Sequence, residues 1–227
     1  MDHENDASTE HFFTAFTDLL VGVIFLFILM LMVFALNLKH PEDVPPVVTT
    51  EQIRANILSE VAKRMQARGL PITLDLANGV VRLPESLLFA SGQWVLSGQG
   101  QQTVAALAQV FEEVLPCASY AQKPCQWQAQ PVLLDSVLIE GHTDRRPFAS
   151  PEGYGNWELS AFRAIAVYKA MVATAPELEN AIANAQQQPL LGVSAYADRR
   201  PVDPAALDPN RRIDVRFNMR ANAIPTP

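Results

Sequence analysis

The residues with the densest chemistry lie in one stretch, 139–164, which reads IEGHTDRRPFASPEGYGNWELSAFRA. Asp144 closes an apolar, strand-like run and Arg163 sits inside the helical pattern that follows. Brought together, they offer an acceptor for an ammonium and a planar two-pronged donor for a carboxylate, a pairing suited to a zwitterionic ligand such as an amino acid. The same residues also fit a purely structural use, with Asp144 capping the loop and Arg163 bridging it. His142 beside them reads as structural rather than as a metal ligand, and Asp198, Arg199 and Arg200 read as a solvated loop. The stretch has no nucleophile–base pair and no third carboxylate, so the pattern argues against an enzyme. Gly98 and Gly100 lack the lysine of a phosphate-binding loop.

A second carboxylate stands apart. Asp18 directly precedes an uncharged run over residues 19–38, LLVGVIFLFILMLMVFALNL. Twenty residues at 1.5 Å each span about 30 Å, the thickness of a bilayer core, which predicts one transmembrane helix. Apolar residues already begin at Phe12, and a helix from there places Asp18 roughly 9 Å deep. A carboxylate costs about 2.5–3.5 kcal/mol at mid-membrane and less near the interface. Thr14, Asp18 and Gly22 share one face at i, i+4, i+8. Two readings fit: an ion-carrying carboxylate packed against partner helices, or an interfacial N-terminal cap favoured by the helix dipole. The first requires a multi-helix partner or self-association, because one helix cannot enclose an ion path.

These groups must be positioned by the rest of the chain. Of its 227 residues 49% are hydrophobic and 18% charged, and the net charge is −7. That balance argues against a nucleic-acid partner. Asp2, Glu4, Asp6, Glu10 and Asp18 precede the span with no Lys or Arg among them, so most of the net charge is an acidic leader. Residues 39–50 contain three prolines and read as a stiff linker. Thr49 with Gln52 marks a helix start, and Ile53, Ile57, Val61 and Met65 continue it to Arg68. A hairpin is predicted over 72–83 around Asn78-Gly79, a helix over 100–115, a strand over 136–141 and a helix over 158–172. Strands follow over 190–195 and 213–219. The alternation predicts an α/β domain with helices packed on a mixed β-sheet. Cys117 and Cys125 flank a short loop. In an oxidising compartment they would form a disulfide worth about 2.6 kcal/mol for about nine residues, and in a reducing one they would be two thiols.

Several of these motifs together resemble the OmpA-like peptidoglycan-binding domain. The resemblance rests on Thr143-Asp144, on Asn156-Trp157-Glu158-Leu159-Ser160-Ala161-Phe162-Arg163-Ala164, and on Asn210-Arg211-Arg212-Ile213. It covers roughly 72–220. It implies that Asp144 and Arg163 grip the amine and carboxylate of diaminopimelate in a peptide stem. Asn156 and Leu159 would add side-chain or backbone hydrogen bonds, with Arg211 at the rim.

Within that family, residues 153–160 are similar to flagellar stator B subunits (MotB), as is the long loop from Asp144 to Asn156. A single span with an early Asp followed by such a domain resembles the B subunit of an ion-driven stator. The resemblance implies no cofactor, a transported proton or sodium ion at Asp18, and Thr14 or Thr17 as possible helpers. It also implies a B-subunit dimer inside a ring of multi-span A subunits (MotA/ZorA-like, five A to two B), with peptidoglycan as the tether. Here an acidic leader and Phe16-Thr17-Asp18-Leu19 replace the usual basic leader and aromatic-Ala-Asp start. The run Thr17-Asp18-Leu19-Leu20-Val21-Gly22 is closer to ZorB of the Zorya anti-phage defence systems. The alternatives are a flagellar MotB-like subunit and a passive peptidoglycan anchor without ion transport. The implied layout is a cytoplasmic leader (1–11), a transmembrane helix (12–38), linker and amphipathic helix (39–71), a periplasmic OmpA-like domain (72–220) and a tail (221–227). The expected location is the bacterial inner membrane.

Overall fold

The structure, a computed structural model, describes residues 4–37, 49–120, 123–125, 127 and 134–220. Most of the proline-rich linker and the tail expected at 221–227 lie outside the described residues. The chain divides into two compact units, Met1–Val47 and Val48–Pro227.

The first unit is one helix, α1 (Glu4–Asn37). Its stretch Phe16–Ala35 has a mean hydropathy of 2.8 and none of it is buried within the chain. Large apolar side chains such as Leu26 (67%) and Met30 (69%) are exposed all round it. A helix apolar on every face has nowhere to place that surface in water, and its length matches a bilayer core. Among the described residues the protein thus has one N-terminal transmembrane helix followed by a larger C-terminal domain, the topology of an inner-membrane protein with a periplasmic domain. Asp18 lies within the stretch Phe16–Ala35.

The second unit opens with α2 (Thr50–Ala67), where the Thr49 hydroxyl accepts the Gln52 amide at 3.2 Å. Ile53, Ile57, Val61 and Met65 are fully buried in the same core as the sheet. The compact unit that begins at Val48 therefore includes α2, because these four side chains need that core for their burial. The hairpin follows as β1 (Thr73–Asp75) and β2 (Val80–Pro84), turning at Gly79 with φ +69°. A short helix α3 (Glu85–Leu88) leads to α4 (Gly98–Val114), which is capped by the Ser97 hydroxyl. Then come β3 (Leu134–His142), α5 (Asn156–Thr174), the short α6 (Glu177–Asn180), β4 (Leu191–Ala195) and β5 (Arg212–Met219).

The strands form one open, mixed sheet in the order β1-β2-β5-β3-β4, antiparallel except for the parallel β3–β4 pair. On β5 the buried Ile213, Val215 and Phe217 alternate with Arg212, Asp214, Arg216 and Asn218, and Val137 and Ile139 of β3 are buried on the same face. The rings of Phe111 on α4 and Phe217 on β5 meet edge-on at 5.5 Å. Cys117 and Cys125 form a disulfide with Cα atoms 5.8 Å apart.

Candidate functional site

Gly141 decides how β3 and α5 meet. A Cβ there would collide with the Ser160 carbonyl oxygen, so only glycine admits this close crossing. The crossing brings the residues just beyond β3 alongside the first turns of α5. A pocket of about 260 Å³ forms there, lined by Glu85, Thr143, Asp144, Arg146, Asn156, Leu159, Arg163 and Arg211 among others. All five residues expected at this site thus line one cavity.

Their partners are more interlinked than the motif suggests. Asp144, 4% exposed, accepts the Arg146 amide at 2.8 Å and the Arg146 guanidinium at 2.6 Å, and Arg211 donates to it at 3.1 Å. Burial opposes the charged carboxylate, but the Arg146 and Arg211 hydrogen bonds prevail and hold it below its ordinary pKa. Arg163, 2% exposed, donates Nε to the Gln93 carbonyl at 2.8 Å and Nη2 to Glu85 at 2.5 Å. The Phe89 ring lies under its guanidinium at 5.3 Å. Burial lowers its pKa against the pull of Glu85. Two of its nitrogens are therefore held internally, and its fork toward a carboxylate is not open as the motif alone implies. Asn156 Nδ2 donates to the Arg146 carbonyl at 3.0 Å and so ties the loop to α5. Leu159 is buried, and its amide donates to Gly155 at 3.0 Å within the helix cap. Glu158 closes that cap by accepting the Gly155 amide at 2.8 Å.

Two residues of the site carry no motif in the sequence reading. Glu85 is 6% exposed and bridges Arg163 on one oxygen and Arg211, 3.0 Å away, on the other. It arrives from the β2–α3 junction, and its only local signal is an acid at a helix start. Arg146 has a local signal of its own, the i+2 position of an Asp-led turn, whose amide donates to Asp144. The result is a ladder, Arg163–Glu85–Arg211–Asp144–Arg146, with three guanidiniums against two carboxylates. Thr143 Oγ1 is buried without a hydrogen bond among the described residues, and Glu85 Oε2 has only its ion pair with Arg211. A small ligand entering here meets acceptors for an ammonium and a net positive charge for a carboxylate.

The opposite sheet face is a layer of ion pairs. Arg211 and Arg212 are adjacent, so they point to opposite sides of the sheet. Arg212 donates to Asp214 at 2.9 Å, as does Arg82. Arg216 forks onto both oxygens of Glu140, each at 2.9 Å. Burial would raise the pKa of Glu140, but His142 and Arg216 hold it at about 2. His142 lies 3.7 Å from Asp214 and 3.9 Å from Glu140, stacked on Tyr196 at 5.4 Å. Burial lowers its pKa, which favours the neutral ring. With guanidiniums already on both carboxylates, this arrangement works as a structural layer. Asn210 makes four hydrogen bonds that shape the loop 202–206. Arg200 stacks on Tyr196 at 3.6 Å, and Arg199 pairs weakly with Asp198.

No protein-family model matches the sequence, and no curated protein matches it. Solved structures do match. A putative MotB like protein from Desulfovibrio vulgaris is 20% identical with a TM-score of 0.53, covering 75% of this chain and 96% of that one. The cell wall anchor of the T6SS from Pseudomonas aeruginosa is 21% identical with a TM-score of 0.49, covering 74% and 99%. The periplasmic domain of Helicobacter pylori MotB is 20% identical with a TM-score of 0.46, covering 63% and 77%. The C-terminal unit is thus similar in fold to a putative MotB like protein, an α/β domain with helices on a mixed sheet.

Proposed function

We propose that this chain is a membrane-anchored peptidoglycan-binding protein without enzymatic activity. The observation that carries the reading is the two-signed pocket around Asp144. Asp144, Thr143 and Glu85 Oε2 would take the ammonium of a diaminopimelate end, and Arg211 and Arg146 its carboxylate. Arg163 would contribute its remaining nitrogen and the field of its charge. The full chain, purified in detergent, should co-sediment with isolated sacculi. Asp144→Asn, which keeps the side chain's shape, should weaken binding about tenfold or more, since hydrogen bonds to charged groups contribute about 1.5–3 kcal/mol. Unchanged sedimentation of that variant would remove the site assignment.

A second reading has its own observation, a carboxylate at Asp18 within the apolar stretch Phe16–Ala35. In this reading the chain is the B subunit of an ion-driven stator, dimeric within a ring of multi-span A subunits, with a proton or sodium ion carried at Asp18. The likeness in fold to a MotB-like protein supports this general class. The ZorB-like defence role rests on residues 17–22 alone, so the flagellar-type and passive-anchor readings are the better supported. Asp18→Asn should insert and co-purify with a multi-span partner but lose biological activity. Full activity of that variant would leave only the passive anchor.

A further inference from the structure

Beside the charged pocket runs a larger groove of about 860 Å³ between α4, α5 and the segment before α4. Its head is a cluster of three aromatic rings. Tyr154 and Phe162 are 5.1 Å apart and edge-on, and Trp94 lies 5.6 Å from Phe162 and 6.4 Å from Tyr154. Each ring packs against the other two, so their orientation is set before any ligand arrives. None is fully buried, and Tyr154 is 37% exposed. Gln101 and Lys169 add polar groups to a floor of alanines.

We propose that this groove is a glycan subsite, taking a pyranose of the peptidoglycan strand while the charged pocket takes the peptide stem; the inference rests on the peptidoglycan reading above. A pyranose presents polarised C–H bonds on one face, which complement the negative face of an aromatic ring. Its hydroxyl and acetamido groups need a few placed donors and acceptors at the rim, the role of Gln101 and Lys169. Continuity with the pocket names the occupant. The Gln93 carbonyl holds Arg163, and Trp94 is the next residue. Phe162 precedes Arg163 on α5, so one helix turn presents a ring to the groove and a guanidinium to the pocket. Tyr154 lies two residues before Asn156, which opens α5 and lines the pocket. A peptide extends about 3.5 Å per residue, so a short stem reaches from pocket to rings. The stem is covalently joined to a sugar, so a stem held in the pocket brings that sugar to the surface beside it, where the groove lies.

The test uses the full chain in lipid nanodiscs and calorimetric titration with three probes: a diaminopimelate-containing stem peptide, the N-acetylated disaccharide-peptide, and the disaccharide alone. The disaccharide-peptide should bind about tenfold tighter than the stem, the equivalent of one stacked ring with its buried area. Trp94→Ala should bring the disaccharide-peptide down to the stem's affinity while the free stem changes less than about twofold. Trp94→Phe should recover most of the difference. Equal affinities of the two peptides for the natural chain would overturn the proposal and leave the pocket reading standing. An equal loss for both peptides in Trp94→Ala that Trp94→Phe rescues would also overturn it, by giving Trp94 a structural role. Trp94-dependent binding of the disaccharide without any stem binding would keep the groove and sink the pocket.

Discussion

Replacing Glu85 by alanine tests the ion ladder most directly. Glu85 is 6% exposed and Arg163 2%, and their side chains meet at 2.5 Å. Removing the acid leaves the Arg163 guanidinium buried with the Gln93 carbonyl as its remaining hydrogen-bond partner among those described. Breaking a buried pair from one side costs about 3–5 kcal/mol, because the surviving charge loses its compensation while staying out of water. Arg211 also loses a neighbour at 3.0 Å, but it keeps Asp144 and Asp208 and is better solvated, so it adds little. With a urea slope of about 2 kcal/mol per M, the unfolding midpoint of the C-terminal unit should fall by about 2 M. The assay is urea denaturation of the full chain in detergent, followed by tryptophan fluorescence. Adding Arg163→Met should recover at least about 1 kcal/mol, because the uncompensated charge is then gone. A loss below about 1 kcal/mol for Glu85→Ala, or additive costs in the double variant, would refute the ladder as an energetic unit.

Gly141→Ala should shift the thermal midpoint down by several degrees or prevent folding, since its methyl group would overlap the Ser160 carbonyl and overpacking costs about 1–3 kcal/mol; a midpoint equal to the natural chain's would contradict the close crossing of α5 and β3. Glu140 is held at about 2, below its ordinary 4.5, so it stabilises the fold fully above pH 4.5 and loses that contribution as pH falls toward 2. Acid titrations of stability should therefore steepen in that window, and Glu140→Gln should flatten the slope; an unchanged slope would remove Arg216 and His142 as its cause.

The elements that can be read along the chain are those whose signals are local. The uncharged run specified α1, the four-residue spacing from Ile53 to Met65 specified α2, and Asn78-Gly79 specified the hairpin turn. Each depends on neighbours within a few residues, so periodicity and turn chemistry suffice to read them. Asp144, Asn156 and Arg163 were likewise legible as a motif, although the direction of Arg163 was not. The tertiary structure decided what that guanidinium meets, because Glu85 and Gln93 come from far along the chain and no spacing relates them to α5. It also decided that Arg211 faces the pocket while Arg212 faces the ion-pair layer, which requires knowing which side of β5 carries the helices. The same holds for α2, whose apolar stripe predicts burial but not the partner that buries it. Charges and apolar faces can be counted along a chain, but their partners depend on strand order and close packing, which arise only when the sheet is assembled.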